Sequence, residues 1–258
     1  TSPAMAAAKL AAFKAKRKGP TYVVEHMEEG LEDWCRLEYR HICRQLPPER
    51  VLFLNWPAGT DPADLVPHGA QPPGTSAESL ETVRAKTEAD APDKSVPFPK
   101  WDRICLLDMD AEDALEPDDC SKFDAVVFGG ILGNITHNED GTYGSDDRTA
   151  EVRKLGFTHR RHLGPMQMTT DTAIVVSRMV LEEARSLSEI PWLDSPEIGG
   201  GPAADGEGEE GGGASDCVCM EGFRYVATRG AGGGDWEPLL PEGMKELLMS
   251  DADKNLLD

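Results

Sequence analysis

In the first part of the chain, continuous apolar runs alternate with a segment in which apolar residues recur at helical spacing. TYVV (21–24) is β-branched and aromatic, which predicts a buried strand. Residues 31–46 carry apolar side chains near helical spacing, and two prolines follow directly, so we expect a helix that ends there. RVLFLNW (50–56) then predicts a second strand.

The same alternation returns after residue 100. RICLLDMD (103–110) and FDAVVF (123–128) predict buried strands, and a short helix is expected at 149–154. FTHRR (157–161) predicts a short strand, and residues 170–187 have so many apolar positions that this helix must be largely buried. Buried strands that alternate with helices predict an α/β fold, with a mostly parallel sheet and helices on both faces.

Three segments interrupt this pattern and set the domain boundaries. Residues 1–20 combine basic side chains with alanine and contain no acid, which is typical of a mobile leader. Eight prolines fall within 57–99, so we expect an insertion or a long surface excursion with a short helix around 78–89. Glycine and acidic residues dominate 199–219, which predicts a disordered insertion.

Two further elements are expected beyond the acidic segment. FRYVA (223–227) predicts a strand, and a final helix is expected at about 241–249. With the preceding elements they form a single domain that covers 21–258.

The charge and the cysteines narrow the class of protein. The chain has 47 acidic and 26 basic residues and a net charge of −21, a field that repels nucleic acid and anionic membranes and attracts basic partners. Solubility and acidic tails explain the same charge equally well. The six cysteines form no CxxC pair, and neither a signal peptide nor an apolar run of membrane-spanning length is recognised, so we expect a cytoplasmic protein with reduced thiols.

Glycines follow the strand at 123–128 in the motif FGGILG (128–133). Glycine lets the backbone approach a ligand closely, although a tight turn explains the same residues. The spacing is not GxGxxG, and GxxxxGK[ST] is absent, so neither a dinucleotide fingerprint nor a phosphate loop is supported.

The buried helix at 170–187 has an unusual entry, LGPMQMTTDTA (163–173), which lacks a capping box. One interpretation is a wall for a flat, partly apolar ligand, because Met is polarizable and backbone amides and Thr hydroxyls can bond ring nitrogens. The other is an ordinary turn in which Asp171 stabilises the helix dipole.

Acids also follow the first strand, in EHMEEG (25–30). Ligands of open α/β sheets bind beyond the carboxyl ends of the strands, where Glu25, Glu28 and Glu29 are expected. Acids in a first helical turn are also ordinary helix stabilisers. No set of residues has the spacing of a metal site.

Six motifs together resemble one family. In chain order they are YVVEHMEEGLEDW, FDAVVFGGILG, DDRT, RRHLGPMQMTTDTA, FRYV and LPEGMKELL. They are similar to the SPOUT class of S-adenosylmethionine-dependent methyltransferases, in the branch that methylates an arginine of the third protein of the small ribosomal subunit. The resemblance covers about 21–56 and 101–258. It implies an α/β fold with a C-terminal deep trefoil knot, placed here with the cofactor site at 120–190.

The resemblance also implies the site residues. Three knot loops would hold S-adenosylmethionine, and they correspond here to Phe128, Gly129, Gly130, Ile131, Leu132, Gly133, Arg161, Leu163, Gly164, Gln167, Met168, Thr169, Thr170 and Ala173.

The catalytic residues implied are acidic, with one arginine. Glu25 and Glu28 would grip the substrate guanidinium, and Asp147 would grip it or accept its proton. Arg148 would orient Asp147 or a cofactor carboxylate. The chain departs from the family in the inserted HNEDGTYGS before DRT and in His162, where an arginine is expected.

The predicted function is monomethylation of an arginine in a basic ribosomal protein by a monomeric enzyme, without membrane attachment and without direct nucleic-acid binding. Two alternatives remain at this point. One is a SPOUT RNA methyltransferase, for which residues 1–20 would supply a basic arm. The other is a cofactor-binding partner of ribosome assembly that has no turnover.

Overall fold

A computed structural model describes residues 19–88, 98–130, 135–137, 143–145, 149–199, 217–230 and 233–255 of the 258-residue chain. The helices are α1 (Asp33–Gln45), α2 (Leu80–Glu88), α3 (Thr149–Arg153), α4 (Thr170–Leu181) and α5 (Met244–Asn255). The strands are β1 (Thr21–Glu25), β2 (Val51–Leu54), β3 (Gly74–Thr75), β4 (Ile104–Leu107), β5 (Ala125–Gly129), β6 (Ile135–His137), β7 (Tyr143–Ser145), β8 (His159–Arg161), β9 (Trp192–Asp194), β10 (Glu197–Gly199), β11 (Cys217–Cys219), β12 (Arg224–Arg229) and β13 (Trp236–Pro238).

Six parallel strands form the central sheet in the order β3-β2-β1-β5-β4-β8. β1 lies in the middle, where Glu25 is in register with Leu54 of β2 and with Gly129 of β5. All four residues of β4 and the first four of β5 are buried, as expected for strands covered on both faces. The predicted parallel sheet is therefore confirmed.

Helices cover both faces of the sheet because successive strand residues point to opposite sides. Tyr22 and Val24 of β1 pack with α1 and α4, whereas Val23 packs with α2 and α3. On α1, the buried Cys35, Tyr39 and Ile42 follow helical spacing and form the stripe that meets this core.

The C-terminal part adds a smaller layer. β12 pairs antiparallel with β9 and β13, and β10 pairs with β11. α5 packs Met244 and Leu248 against Phe223 and Tyr225 in a separate apolar cluster that also contacts α1 through Trp34 and Leu37. None of the helices among the described residues is both long and apolar enough to cross a membrane.

Several expected boundaries change. Residues 74–88 are part of the layered fold, because β3 extends the central sheet and Leu80 and Val83 of α2 are buried against it. The expectation of a surface excursion over 57–99 is therefore wrong for this part. α4 ends at Leu181 rather than 187, and Ala184 then adopts a positive φ of 56°, which turns the chain away from the helix.

The acidic segment is also shorter than expected. Gly199 pairs with Cys217 in the β10–β11 hairpin, so residues 217–219 are strand and not insertion. Residues 200–216, and most of the leader (1–18), lie outside the described residues.

Gly130 offers a test of the central packing. An added Cβ would lie 2.9 Å from the Met27 nitrogen and closer still to the carbonyl oxygen of Glu25, and neither backbone atom can move alone. We therefore expect Gly130→Ala to lower the free energy of unfolding by about 1–3 kcal/mol or more, measured by urea denaturation. Gly30→Ala is the matched control, since its Cβ would meet no atom within 4 Å. Equal stability of the two variants would contradict this packing.

Candidate active site

The carboxyl ends of the six parallel strands meet at one edge of the sheet, where ligands of open α/β folds bind. Polar residues or glycines stand at the ends of four of these strands. They are Glu25 and His26 at the end of β1, Asp108 after β4, Gly129 and Gly130 at the end of β5, and Arg161 and His162 at the end of β8.

Glu25 occupies the last position of β1, on the side of the sheet that faces α2. Its Oε2 accepts a hydrogen bond from the backbone N–H of Leu80 at 3.0 Å, so the carboxyl group lies at the first turn of α2. Burial raises the pKa of Glu25 to about 7, and the Leu80 bond opposes this rise only in part. A carboxyl group with a pKa near neutrality can take or release a proton at working pH.

His26 follows Glu25 and is completely buried. Its Nδ1 lies 2.9 Å from the hydroxyl oxygen of Tyr39 on α1, and burial lowers its pKa. The carbonyl of His26 accepts a bond from Asn55 after β2, at 2.7 Å. The end of β1 is thus fixed on both sides, which holds Glu25 in place.

The end of β5 faces α3. A Cβ added to Gly129 would lie 3.1 Å from the Thr149 hydroxyl, so the first residue of α3 is packed directly on the strand end beside Glu25. Asp147 and Arg148 immediately precede Thr149 in sequence but lie outside the described residues, as do Ile131, Leu132 and Gly133. Their predicted roles stay predictions. Glu28 is half-buried in the loop between β1 and α1.

Asp108 is a buried residue of this edge that the sequence interpretation missed. Arg153 of α3 donates to both of its oxygens at 2.6 and 2.7 Å, and Arg160 of β8 donates at 2.9 Å. Burial alone would raise the pKa of Asp108, but the two arginines outweigh burial and lower it. A permanent anion therefore ties α3 and β8 to the end of β4. Its signal in the sequence was an acid at the end of a continuous apolar strand.

Arg161 was predicted to contact the cofactor, but its side chain is engaged elsewhere. Its guanidinium donates to Asp119 at 2.9 and 3.3 Å, in the connection between β4 and β5. Asp119 is 1% exposed, so this ion pair is largely shielded. The Nδ1 of His162 accepts the N–H of Gly164 at 3.0 Å, which closes the turn after β8. Arg161 and His162 therefore shape the loop by internal contacts.

The loop that enters α4 is also held from within. Leu163 and Met168 are buried in the main core, and the Thr169 hydroxyl donates to that of Thr172 at 2.7 Å. The Thr169 hydroxyl is therefore already bonded within the first turn of α4, and the predicted contact of Thr169 with the cofactor stays a prediction. Thr170 is also buried, and Ala173 is half-buried against the core.

Gln167 and Gly164 are the members of this loop with features of a binding site. The backbone of Gln167 accepts a bond from Arg224 at the start of β12, whereas its Oε1 is buried without a partner among the described residues. Gly164 has a φ of +113°, a conformation that favours glycine. The loop therefore contains an acceptor oxygen, Oε1 of Gln167, without a partner among the described residues, three residues after a turn formed by Gly164.

A network of buried polar side chains lies beneath this loop, and its full extent was not predictable from local sequence. Asp171 accepts a bond from His41 of α1 at 2.7 Å, and Gln45 bonds the other ring nitrogen of His41 at 3.0 Å. Glu38 of α1 is completely buried near the same residues. The network joins α1 to the first turn of α4. Among the described residues, no group of three His, Cys, Asp or Glu side chains is placed to hold a metal ion.

A strand-end carboxyl group with a raised pKa, a glycine-lined strand end and a helix-entry loop with an acceptor that has no partner among the described residues are each features found in small-molecule sites. The model of the family described as "Protein arginine N-methyltransferase SFM1-like" matches residues 21–255. The chain belongs to this family. Membership confirms the resemblance to protein arginine methyltransferases.

Known relatives agree with this assignment. The chain is 31% identical over 239 residues to the protein arginine N-methyltransferase SFM1 of Saccharomyces cerevisiae, which covers 92% of this chain and 98% of that protein. It is similar to the crystal structure of yeast SFM1 with SAM, at 30% identity and a TM-score of 0.66, over 95% of this chain and 96% of the other. The yeast structure with SAH matches at 31% identity and a TM-score of 0.63, over 88% and 94% of the two chains.

The pKa of Glu25 predicts a pH-dependent stability difference. Between about pH 4.5 and 7 the folded chain binds a proton that the unfolded chain has released, so the stability of the wild type falls as pH rises through this window. Glu25→Gln cannot ionise and keeps an acceptor for Leu80. We therefore expect this variant to gain up to about 3 kcal/mol over the wild type above pH 7 and almost nothing below pH 4.5.

Urea denaturation at several pH values measures this difference. Glu29→Gln, which changes an exposed acid of the same loop, should stay within about 0.5 kcal/mol of the wild type throughout. A stability difference for Glu25→Gln that is independent of pH would show that Glu25 ionises normally.

Proposed function

We propose that this chain transfers a methyl group from S-adenosylmethionine to one guanidinium nitrogen of an arginine in a basic protein, the third protein of the small ribosomal subunit. The observation that carries the proposal is the family match, because residues 21–255 include both the Glu25 strand end and the loop that enters α4. The acidic balance of the chain supports a basic substrate.

The residues of the loop entering α4 fit the cofactor. The buried, unpaired Oε1 of Gln167 can accept from an exocyclic amine, and Gly164 leaves the backbone of its turn uncovered by a side chain. Leu163 and Met168 give this loop an apolar base. When bound, S-adenosylmethionine supplies an activated methyl group on a positively charged sulfur. The crystal structures of yeast SFM1 with SAM, SAH and MTA support this assignment.

The acids at the sheet edge suit the substrate. A guanidinium group has a pKa above about 12 and is a poor nucleophile while protonated. Carboxylates that bond it in a fork fix its orientation and localise its charge on the distal nitrogens. Glu28 and Asp147 are proposed for this grip, and Arg148 for orienting Asp147.

The methylated nitrogen must lose a proton, and Glu25 is suited to take it. Its pKa of about 7 lies well above that of an ordinary carboxyl group, so its conjugate base is stronger and is still substantially populated near neutral pH. The bond from Leu80 fixes one carboxyl oxygen of Glu25, and we propose the other oxygen as the proton acceptor. We extend the proposed role of Glu25 from gripping the substrate to accepting its proton.

We also propose that the C-terminal half of the chain forms a knot. The segment after β8 is hydrogen-bonded to the connection between β4 and β5. The backbone N–H of His162 donates to the carbonyl of Asp113 at 2.9 Å, and the backbone N–H of Leu115 donates to the carbonyl of His162 at 2.9 Å. α4 then returns to the sheet face beside β5. These crossing segments support the trefoil knot implied by the SPOUT resemblance.

The experiment is methyl transfer to the unmodified substrate. Methyl-labelled S-adenosylmethionine is incubated with the chain and with small ribosomal subunits that lack the modification, and the labelled unit is identified by hydrolysis and mass spectrometry. Monomethylarginine in the third small-subunit protein is the expected result. Label in a nucleotide would instead establish an RNA methyltransferase, and binding of S-adenosylmethionine without label would establish a binding protein.

Asp147→Ala tests the catalytic assignment. Loss of a gripping or proton-accepting carboxylate should lower turnover by about 10²–10⁴, while the affinity for S-adenosylmethionine measured by titration calorimetry stays close to that of the wild type. Asp146→Ala removes the adjacent acid and serves as the matched control, with turnover expected to change little. A parallel loss of affinity and turnover in Asp147→Ala would assign Asp147 to the cofactor site instead.

A further inference from the structure

Glu38 is a buried acid for which the proposed reaction has no use. It lies on the face of α1 that packs against α4 and is 0% exposed. Its Oε1 accepts the indole N–H of Trp34 at 2.6 Å, and its Oε2 is buried without a partner among the described residues. Such an unpaired buried oxygen destabilises the fold unless another group satisfies it.

Asp171, in the first turn of α4, has a matching deficiency. Its Oδ2 accepts from His41 at 2.7 Å, whereas its Oδ1 is also buried without a partner among the described residues. Glu38 and Asp171 thus each have one satisfied oxygen and one without a partner among the described residues, and His41, about one turn along α1 from Glu38, holds Asp171 against the same helix. One proton shared by the two carboxyl groups would satisfy both of these oxygens.

The electrostatics place that proton on Glu38. Burial raises the pKa of Glu38 well above its usual range, and the charge of Asp171 raises it further. The N–H groups of Trp34, Asp171 and Thr170 act in the opposite direction but are outweighed.

We propose that Glu38 is a positioning residue for the cofactor loop, in which the Glu38 carboxyl group shares a proton with Asp171 and thereby holds the first turn of α4 against α1. This inference rests on the proposed function, because it assigns the loop that ends in α4 to the cofactor. Thr169, the N-cap residue of α4, makes no side-chain cap, so Glu38 takes over part of that task from another helix.

Loss of the shared proton should affect cofactor binding by the loop that enters α4 and not the methyl-transfer step itself. If the proton is absent, two carboxylates face each other in a buried space, and the first turn of α4 must move away from α1. Gln167 and Gly164 belong to the loop that this turn anchors, so the affinity for S-adenosylmethionine should depend on Glu38 although Glu38 lies below the loop.

Three variants of the full chain test the proposal. Glu38→Gln keeps the shape and supplies a neutral donor to Asp171, Glu38→Ala removes the link, and Glu32→Gln changes an exposed acid at the start of the same helix as the matched control. Affinity for S-adenosylmethionine is measured by titration calorimetry at neutral pH, and folding is checked by circular dichroism.

Glu38→Gln and Glu32→Gln should bind within about threefold of the wild type, and Glu38→Ala should bind at least about tenfold more weakly. Equal weakening of Glu38→Gln and Glu38→Ala would overturn the proposal, because it would mean that Glu38 acts as an anion. Unchanged binding by Glu38→Ala would overturn it as well. If Glu38→Ala does not fold, the comparison of Glu38→Gln with the wild type still shows whether Glu38 acts as a neutral donor or as an anion, because weaker binding by Glu38→Gln would overturn the proposal.

A second measurement does not require the cofactor. The melting temperature of the protein without cofactor is compared between the wild type and Glu38→Gln from about pH 6 to pH 9. A raised carboxyl pKa stabilises the folded state at low pH and loses this contribution as pH rises, so the advantage of Glu38→Gln should grow with pH. The other ionisable groups that face the pair, Cys35, Tyr39 and His41 of α1 and Tyr225 of β12, are the same in both proteins.

An advantage that shrinks as pH rises would overturn the shared proton. This readout also separates the two proposals. A chain that fails to bind S-adenosylmethionine but shows the expected pH trend would contradict the proposed function while leaving the Glu38–Asp171 pair intact.

Discussion

The close approach between the ends of β1 and β5 is the constraint on which the candidate site depends. Gly130 lies so near to the backbone of Glu25–Met27 that no side chain can stand between them. This contact brings the carboxyl group of Glu25 beside the start of α3 and keeps His26 in the core. FGGILG was interpreted as a place where backbone approaches a ligand, but at Gly130 the backbone approaches another strand end, and any ligand site is built on that contact.

Much of the fold could be predicted because burial determines the spacing of apolar residues. The run at 103–110 contains the strand Ile104–Leu107, the run at 123–128 covers all but the last residue of the strand Ala125–Gly129, and the helix expected at 31–46 lies at 33–45. The helix expected around 78–89 lies at Leu80–Glu88, but the strand Gly74–Thr75 was not predicted, because prolines lie around it and a strand of two residues leaves almost no pattern. Pairing with β2 is a tertiary effect, and local sequence does not encode it.

The site was only partly predictable for a similar reason. Glu25 was identified from its place at a strand end, and the loop before α4 from its unusual composition. The pKa of Glu25 depends on α2, which comes 55 residues later in the chain. Asp108 and Glu38 were missed because an acid at the end of an apolar strand or within a helix does not by itself indicate its partners. Their roles come from Arg153, Arg160 and Asp171, all distant in sequence.

Buried anions serve as cross-links in a chain that is strongly acidic overall. Asp108 joins β4, α3 and β8, and Asp119 joins the β4–β5 connection to β8. In both cases arginines supply the charge, and their bonds outweigh the effect of burial on the pKa. Because removing one partner leaves the other charge buried, such links cost several kcal/mol when broken even if they add little when formed. Arginines thus hold together segments that are distant in sequence.

The β10–β11 hairpin has a consequence for how the sequence can change. Gly199 and Cys217 are paired, so both ends of the glycine-rich segment are fixed by main-chain bonds whatever its length. The entropy of closing a loop rises only with the logarithm of its length, about 0.6 kcal/mol for each doubling. This position can therefore accept a longer segment, or an inserted reporter domain, at small thermodynamic cost, which makes it a natural place for variation in length and a practical place for a label.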